Sequence, residues 1–181
     1  MTILALSEYS SIRVVYDLLG KCPDSAKAAD TTGMEFVDDH DLRTDLRADL
    51  TSATSALRNH EYKVATVLAG SVVESLLLWA LQGLGEQAIR AAVASKGQPY
   101  PKDPIENWGL RDLIAVSATC NLIPSSTKAQ AELAQAFRNL IHPGRASRLS
   151  AKCTLGTAYA ALAAVDMVAS ELSLWAASRV A

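Results

Sequence analysis

The fold of this chain is decided by the stretch EYKVATVLAGSVVESLLLWALQGL, which runs from Glu61 to Leu84. Its side chains are apolar nearly all the way round, as in a helix at the centre of a core. A membrane span would have a similar composition, but Glu74 lies in mid-segment, where an ionised carboxylate in lipid would cost about 2.5 to 3.5 kcal/mol. Amphipathic segments also surround the stretch in the sequence. We therefore expect a central core helix in a protein that does not enter the membrane.

An amphipathic helix is predicted just before this stretch, over residues 38–60. Its apolar residues recur at steps of three and four, the helical period; they are Leu42, Leu46, Leu50, Ala53 and Leu57. Asp38 and Asp39 lie at its start, where free backbone N–H groups and the helix dipole favour acidic side chains. Metal binding by the acidic run 38–41 is the alternative, but capping explains these residues without an ion.

Further helices are predicted on the C-terminal side. One extends to Ser95, and Asn107 is placed to cap the next. Thr127 and Gln130 have the spacing of a capping box, and the helix that they begin is expected to end at Pro143. A last helix is predicted over residues 152–178. The core side chains expected in these later helices are Trp108, Leu110, Leu113, Ile114, Leu133, Phe137, Leu140, Ile141, Leu155, Tyr159, Leu162, Val165, Leu172 and Trp175.

The fold class follows from these segments. No segment alternates apolar and polar residues as a half-buried strand does. The expected fold is all-α, an up-and-down bundle of four long helices with additional short helices. Residues 1–37 are expected to hold a short helix near Ser7 to Leu19 and a linker, and residues 38–181 to form the bundle domain.

Composition excludes several classes of function. The chain has 181 residues, with 17 Lys and Arg against 19 Asp and Glu, and its net charge of -2 excludes the basic field of a nucleic-acid-coating protein. The three cysteines form no C-x-x-C pair, so neither a disulfide framework nor a zinc site is indicated. No P-loop and no G-x-G-x-x-G is present, which disfavours ATP and dinucleotide enzymes. We expect no metal and no cofactor. The apolar start of the chain lacks the positive n-region of a signal peptide, so we expect a cytoplasmic protein.

One stretch departs from the mildly acidic average. Between residues 128 and 152 only Glu132 is acidic, whereas five residues are basic: Lys128, Arg138, Arg145, Arg148 and Lys152. A local excess of positive charge is typical of an anion or phosphate site, in which Arg145 and Arg148 would bind. A solvated helix end has the same pattern, because cations are favoured near a helix C-terminus. Both interpretations remain open at this point.

The side chains best suited to catalysis lie in the run Arg138-Asn139-Leu140-Ile141-His142-Pro143. On a continuous helix Arg138 and His142, four residues apart, would share one face. Arginine offers a fork of donors suited to phosphate, and histidine titrates near neutral pH. His142 could therefore activate the 2'-hydroxyl of RNA or protonate the leaving oxygen, while Arg138 stabilises the developing phosphorane charge and Asn139 orients a group.

The alternative is purely structural. His142 would then cap a helix end, Asn139 would bind backbone at the following turn, and Arg138 would form an internal ion pair. Glu74 bears on both interpretations, because a carboxylate on an apolar helix must be paired or protonated if it is buried. Arg138 is its expected partner.

Three pieces of the sequence resemble the HEPN (higher eukaryotes and prokaryotes nucleotide-binding) superfamily. They are the helix from Ala65 to Leu77, the run from Leu110 to Ile114, and the run from Phe137 to Arg145. The resemblance covers about residues 38–178. It implies an α-helical bundle, often a homodimer, and in many members a metal-independent endoribonuclease of toxin-antitoxin or antiviral systems.

The resemblance also implies roles for single residues. Arg138 matches the family's arginine, Asn139 its polar residue and His142 its histidine. Active members usually place four to six residues between arginine and histidine, whereas three lie between them here. Members with altered motifs resemble non-catalytic modules that bind a nucleotide, RNA or a protein partner, which is the alternative function. An antitoxin or other protein is an implied partner.

Overall fold

The computed structural model describes residues 34–141, 144, 147, 148 and 152–180, and the part of the chain that it describes is all-α, without a strand. Its six α-helices are α1 (His40–Arg58), α2 (Tyr62–Leu84), α3 (Glu86–Ser95), α4 (Leu110–Thr119), α5 (Ser125–Arg138) and α6 (Leu155–Val180). Two 3₁₀ turns accompany them, Ile105–Asn107 before α4 and Asn139–Ile141 after α5. The short helix predicted near residues 7–19 lies outside the described residues.

Helix α2 is the central helix that its apolar sequence predicts. Its buried residues are Ala65, Thr66, Ala69, Gly70, Val72, Val73, Leu76, Leu77, Ala80 and Leu81. The apolar ones from Ala69 to Leu81 contribute to one core together with side chains from all five other helices. Met34 and Val37, which precede α1, belong to the same core, with exposures of 5% and 0%. The core therefore includes the last residues of the segment expected to be a linker.

Contacts along α2 give the directions of its neighbours. Ala65 and Ala158 share a small buried cluster near the beginnings of α2 and α6, and the rings of Trp79 and Trp175 lie 5.8 Å apart near their ends. The two helices therefore run side by side in the same direction. Helix α1 runs the opposite way, because Asp38 before its start accepts a hydrogen bond from Trp79 Nε1 at 2.9 Å.

Helix α5 packs against both α2 and α6. The amide of Gln130 in its first half donates to the carbonyl of Ala160 at 2.7 Å, and the carbonyl of Phe137 near its end lies 3.9 Å from Cys153 Sγ. Later residues of α5 thus meet earlier residues at the start of α6. The two helices run in opposite directions, and α5 brings its last turn towards the first half of α2.

The predicted cap of α1 is confirmed. Asp39 is the N-cap residue, and its carboxylate accepts hydrogen bonds at 3.0 Å from the backbone N–H groups of Asp41 and Leu42. Asp38 uses its own carboxylate differently, because it bonds the indole of Trp79. That hydrogen bond lowers the pKa of Asp38 below its ordinary value. The acidic run at this helix start is accounted for by backbone and indole donors.

Two other predicted caps are wrong. Asn107 ends a 3₁₀ turn, and Gly109 is the N-cap of α4, without a side-chain hydrogen bond. Helix α5 begins after Pro124, also without a side-chain cap. Thr127 is instead buried, and its hydroxyl has no partner among the described residues. The side-chain amide of Gln130 donates to a backbone carbonyl of α6. Tertiary contacts with α6 therefore take the place of the capping box.

The buried faces of α5 and α6 differ in part from the predicted ones. Leu133 and Tyr159, both expected in the core, are each 41% exposed. The residues buried in their place are mostly small: Ala131, Ala134, Ala158, Ala161 and Ala164. Alanine side chains allow two helix backbones to approach closely, and this close approach turns the larger neighbours outwards. Val165 and Leu172 are buried as expected.

Within the described part of the chain, two helices are long and apolar enough to cross a membrane by length and composition alone. They are α2, with 56% of its most apolar window buried inside the protein, and α6, with 28%. A buried core helix passes the same test, which accounts for α2.

Candidate functional site

The candidate site is centred on Arg138, the last residue of α5. Its Nη1 lies 2.8 Å from Oε2 of Glu74 in the middle of α2, and the two side chains are 30% and 29% exposed. The ion pair expected from the sequence is therefore present. It joins the end of one helix to the middle of another at the edge of the core, where both charges are shielded from water on most of their surface.

Gly70 allows this pairing. A Cβ atom built on Gly70 would lie 2.9 Å from Cδ and 3.2 Å from Cγ of Arg138, closer than carbon atoms approach without displacement. The aliphatic part of the arginine therefore lies directly across the backbone of α2. Because Gly70 and Glu74 are four residues apart, they share one face of that helix. The stem of Arg138 crosses this face at Gly70, and its head reaches Glu74 one turn further on.

The contact is a charge pair rather than an aligned hydrogen bond. Glu74 Oε2 is buried and accepts no aligned hydrogen bond from the described residues, although Nη1 lies 2.8 Å away. The guanidinium therefore does not use its fork of donors on this carboxylate. Arginine carries five N–H donors. With Arg138 held at its stem and partly exposed at its head, these donors remain able to bind an oxyanion.

The chain after Arg138 is wound differently from the prediction. The α-helix ends at Arg138, and Asn139–Ile141 form a 3₁₀ turn, which has about three residues per turn. The α-helix that was predicted to reach Pro143 is therefore shorter than expected, and the common face of Arg138 and His142 stays a prediction. Asn139 is half-buried and caps α5 with its own N–H. His142 lies outside the described residues.

The described basic residues between 128 and 152 have different surroundings in the structure. Lys128 near the start of α5 pairs with Glu132 at 3.6 Å, far along the helix from Arg138. Arg148 is exposed and donates from Nε to the carbonyl of Gly144 at 3.2 Å. Lys152 is exposed. Arg145 lies outside the described residues, so Arg138 is the member whose surroundings are defined in most detail.

Cys153 also lies near this region, which no sequence pattern predicted. Its thiol lies 3.9 Å from the carbonyl of Phe137, and burial raises its pKa, while the nearby Lys63 and Thr66 of α2 lower it. The end of α5, the first turn of α2 and the residues before α6 thus meet here. The close approach of Arg138 to α2 had one signal in the sequence. This signal is Gly70, which lies in an apolar helix one turn before Glu74.

Another described cleft lies away from Arg138. It has a volume of about 510 Å³ and is formed around the end of α2, helix α3 and the loop that follows. The guanidinium of Arg90 lies 4.0 Å over the ring of Tyr100 in its wall, and burial raises the pKa of that tyrosine. None of the residues predicted for the functional site lines it. Across the described residues, no cluster of three or more His, Cys, Asp or Glu is placed to hold a metal ion.

No protein-family model, no curated protein and no solved structure matches this chain. Arguments about its function therefore depend on its own residues.

Proposed function

We propose that this chain is a HEPN-like protein that cleaves RNA without a metal ion, with Arg138 and His142 as catalytic residues and Asn139 as their support. The observation that carries the proposal is the position of the Arg138 side chain. Its stem crosses Gly70, its head is drawn to Glu74 at 2.8 Å, and 30% of its side chain faces solvent. A fixed guanidinium with free donors suits a phosphate whose negative charge grows in a transition state.

The proposed reaction needs only RNA and protein side chains. The 2'-oxygen attacks the adjacent phosphorus as its proton passes to a base, and the bond from phosphorus to the 5'-oxygen breaks. The products are a 2',3'-cyclic phosphate and a 5'-hydroxyl group, which takes up a proton. His142 would take the first proton or supply the second. Arg138 would stabilise the charge on the non-bridging oxygens, and Arg145 and Arg148 would bind neighbouring phosphates.

The architecture and partners belong to the same proposal. The four long helices α1, α2, α5 and α6 would form an up-and-down bundle, and two chains would pair as a homodimer with their two motifs at a shared interface. The protein would act in the cytoplasm, with an antitoxin or another protein as its partner in a toxin-antitoxin or antiviral system.

A second candidate function is a non-catalytic module that binds a nucleotide, RNA or a protein. Two observations favour it. The α-helix ends at Arg138, so α-helical geometry does not link this residue to the histidine, and Glu74 already balances the charge of the arginine. Such a module would bind phosphate through the same basic residues without turnover.

An RNA-cleavage assay tests the first candidate against the second. Wild type, Arg138→Ala and His142→Ala would be incubated with single-stranded RNA in the presence of a chelator, and the new ends would be analysed. We expect cleavage by wild type with cyclic phosphate ends and a fall of at least about a hundredfold in both variants. His60→Ala is a matched control, because His60 is an exposed histidine in the turn after α1.

The opposite results are equally clear. A well-folded wild type that cuts no RNA, or cuts it as fast after His142→Ala, would exclude the nuclease. If that protein still binds RNA, and the combined substitution of Arg138, Arg145 and Arg148 removes binding, the non-catalytic module is supported.

A further inference from the structure

Helix α2 carries a second positive charge on the face that Arg138 crosses. Lys63 precedes Gly70 by seven residues and Gly70 precedes Glu74 by four, so the three positions share one face of the helix. With the rise of an α-helix, Lys63 lies about 10 Å before Gly70 along the axis. The face therefore begins with a lysine at the start of α2 and leads to the pair of Arg138 and Glu74.

Another lysine is brought to the same end of the molecule by the chain before α6. Lys152 directly precedes Cys153. The Sγ atom of Cys153 lies 3.9 Å from the carbonyl oxygen of Phe137, the residue before Arg138. Burial raises the pKa of the Cys153 thiol, and the nearby charge of Lys63 offsets part of this rise. Lys63 and Lys152 thus lie on either side of a cysteine that contacts the end of α5.

The two lysines are available to a ligand. Both are exposed, and neither forms an ion pair with the described residues. Glu61 is the acidic residue closest to Lys63 in the sequence, but side chains two positions apart on a helix do not face each other. Their ammonium groups therefore carry positive charge that nothing described in the fold neutralises.

The spacing of these cations suits a chain of phosphates better than a single phosphate. The head of Arg138 lies at Glu74, whose backbone is about 16 Å from that of Lys63 along α2. Single-stranded nucleic acid binds in grooves whose positive charges follow its backbone. A strand with one phosphate at Arg138 would therefore present its neighbouring phosphates to the start of α2.

The charge of the whole chain strengthens this local preference. The net charge is -2, so the surface as a whole does not attract a polyanion. At this end of the molecule, by contrast, cations come from three separate segments: Lys63 from α2, Arg138 from α5 and Lys152 from the chain before α6. A strand is favoured where these segments meet.

We propose that Lys63 and Lys152 bind backbone phosphates of a single-stranded RNA that has another phosphate at Arg138. The strand would extend from Arg138 past the start of α2 to the residues before α6, so the substrate is several nucleotides long. This inference deepens the proposed function and rests on it, because it takes the phosphate-binding role of Arg138 as its starting point.

The salt dependence of binding tests the inference. The probe is a single-stranded RNA of about ten nucleotides with 2'-O-methyl groups, which cannot be cleaved through its 2'-oxygen. Each phosphate contact on a single strand contributes about 0.7 to the slope of the logarithm of the binding constant against that of the salt concentration. We expect Lys63→Gln and Lys152→Gln each to lower the slope by about 0.7, and the double variant by about 1.4.

Two control variants separate a phosphate contact from a structural effect. Lys63→Arg keeps the charge and should retain the wild-type slope. Lys102→Gln removes an exposed lysine that lines the cleft away from Arg138, and it should leave the slope unchanged. In the cleavage assay with unmodified RNA, Lys63→Gln should raise KM at least about threefold while kcat stays near that of wild type.

The outcomes distinguish this inference from the proposed nuclease. RNA cleavage that depends on Arg138, with a slope that neither lysine substitution changes, would overturn the inference and leave the nuclease standing. Lowered slopes with a wild type that binds RNA but does not cut it would support the lysine contacts and exclude the nuclease. A folded wild type that binds no RNA would overturn both, and a slope lowered equally by Lys102→Gln would overturn the inference alone.

Discussion

Two arginines lie across two glycines of α2, and they are held in different ways. Arg138 crosses Gly70 with its stem, so that a Cβ there would lie 2.9 Å from Cδ, and its head pairs with Glu74. Arg179 meets Gly83 only with its tip, where a Cβ would lie 3.1 Å from Nη1. Its guanidinium lies 4.7 Å over the ring of Trp175.

The comparison separates an arginine that is paired with a carboxylate from one that is not. Arg138 is held at two points, by the backbone of α2 under its stem and by a carboxylate at its head. Arg179 is exposed and forms no ion pair within 4.0 Å among the described residues; it lies against the ring of Trp175 and beside Gly83, and its charge lowers the pKa of Asp38 in a minor way. A glycine in a helix thus gives room for an arginine, and the atoms beyond the glycine decide whether its head is held in one place.

The largest effect on stability is expected from Glu74→Ala. It leaves the charge of Arg138 partly buried without a partner, and we expect a loss of about 1 to 2 kcal/mol in the free energy of unfolding, below the full cost of breaking a buried pair because both side chains are partly exposed. Urea denaturation measures it. Glu86→Ala, which removes an exposed pair with Arg90, is the control and should cost about 0.5 kcal/mol or less. Equal losses in the two variants would contradict the comparison.

Opposite signs are expected from alanine at the two glycines. Gly70→Ala places a methyl group 2.9 Å from the middle of the Arg138 side chain, and the strain should exceed the gain in helix propensity, for a net loss of about 1 kcal/mol. Gly83→Ala meets the free tip of Arg179, which can move aside, so stability should rise by about 0.5 kcal/mol. Melting temperatures of the two variants decide this, and a rise in both would show that Arg138 is not fixed at Gly70.

A smaller loss is expected at the aromatic end. Arg179→Ala removes a cation over the ring of Trp175, an interaction worth about 0.5 kcal/mol at an exposed site. Arg179→Lys should retain part of it. Thermal denaturation at low and high salt measures the loss of stability. A loss as large as that of Glu74→Ala would show that the two arginines stabilise the fold equally.

The smallest expected effect is on the dependence of stability on acidic pH. The hydrogen bond from Trp79 lowers the pKa of Asp38 in the folded state, so its contribution to stability is present above the ordinary carboxyl range and is lost as the pH falls through the lowered value. Trp79→Phe removes the donor. The melting temperature of this variant should therefore fall less steeply than that of wild type between about pH 5 and pH 3. An identical slope for both proteins would show that the bond does not carry this dependence.

Local sequence signals predicted the main features correctly. The apolar run from Glu61 to Leu84 identified the central helix, because a helix that is apolar all round lies in a core or in a membrane, and Glu74 in mid-segment favoured the core. Asp39 was identified as a cap by its position. The partnership of Glu74 with Arg138 followed from electrostatics, since a carboxylate on such a helix needs a partner if it is buried, and Arg138 was the partner expected.

Features that depend on how helices approach each other were not predictable in this way. Leu133 and Tyr159 appeared as core residues by periodicity, yet alanines occupy their interfaces. Thr127 with Gln130 matched a capping box, but α6 offered the glutamine a better partner. The role of Gly70 required the position of α5 across α2, which no local pattern contains. The end of the α-helix at Arg138 was also missed, because a 3₁₀ turn has no distinct periodicity over three residues.

The central claim is that Arg138, and not Arg179, acts on phosphate. The most direct measurement compares RNA cleavage by wild type, Arg138→Gln and Arg179→Gln, with a chelator present and with analysis of the new RNA ends. We predict cyclic phosphate ends with wild type and Arg179→Gln, and a loss of at least about a hundredfold with Arg138→Gln. Equal cleavage by all three proteins, or none by a folded wild type, would contradict the claim.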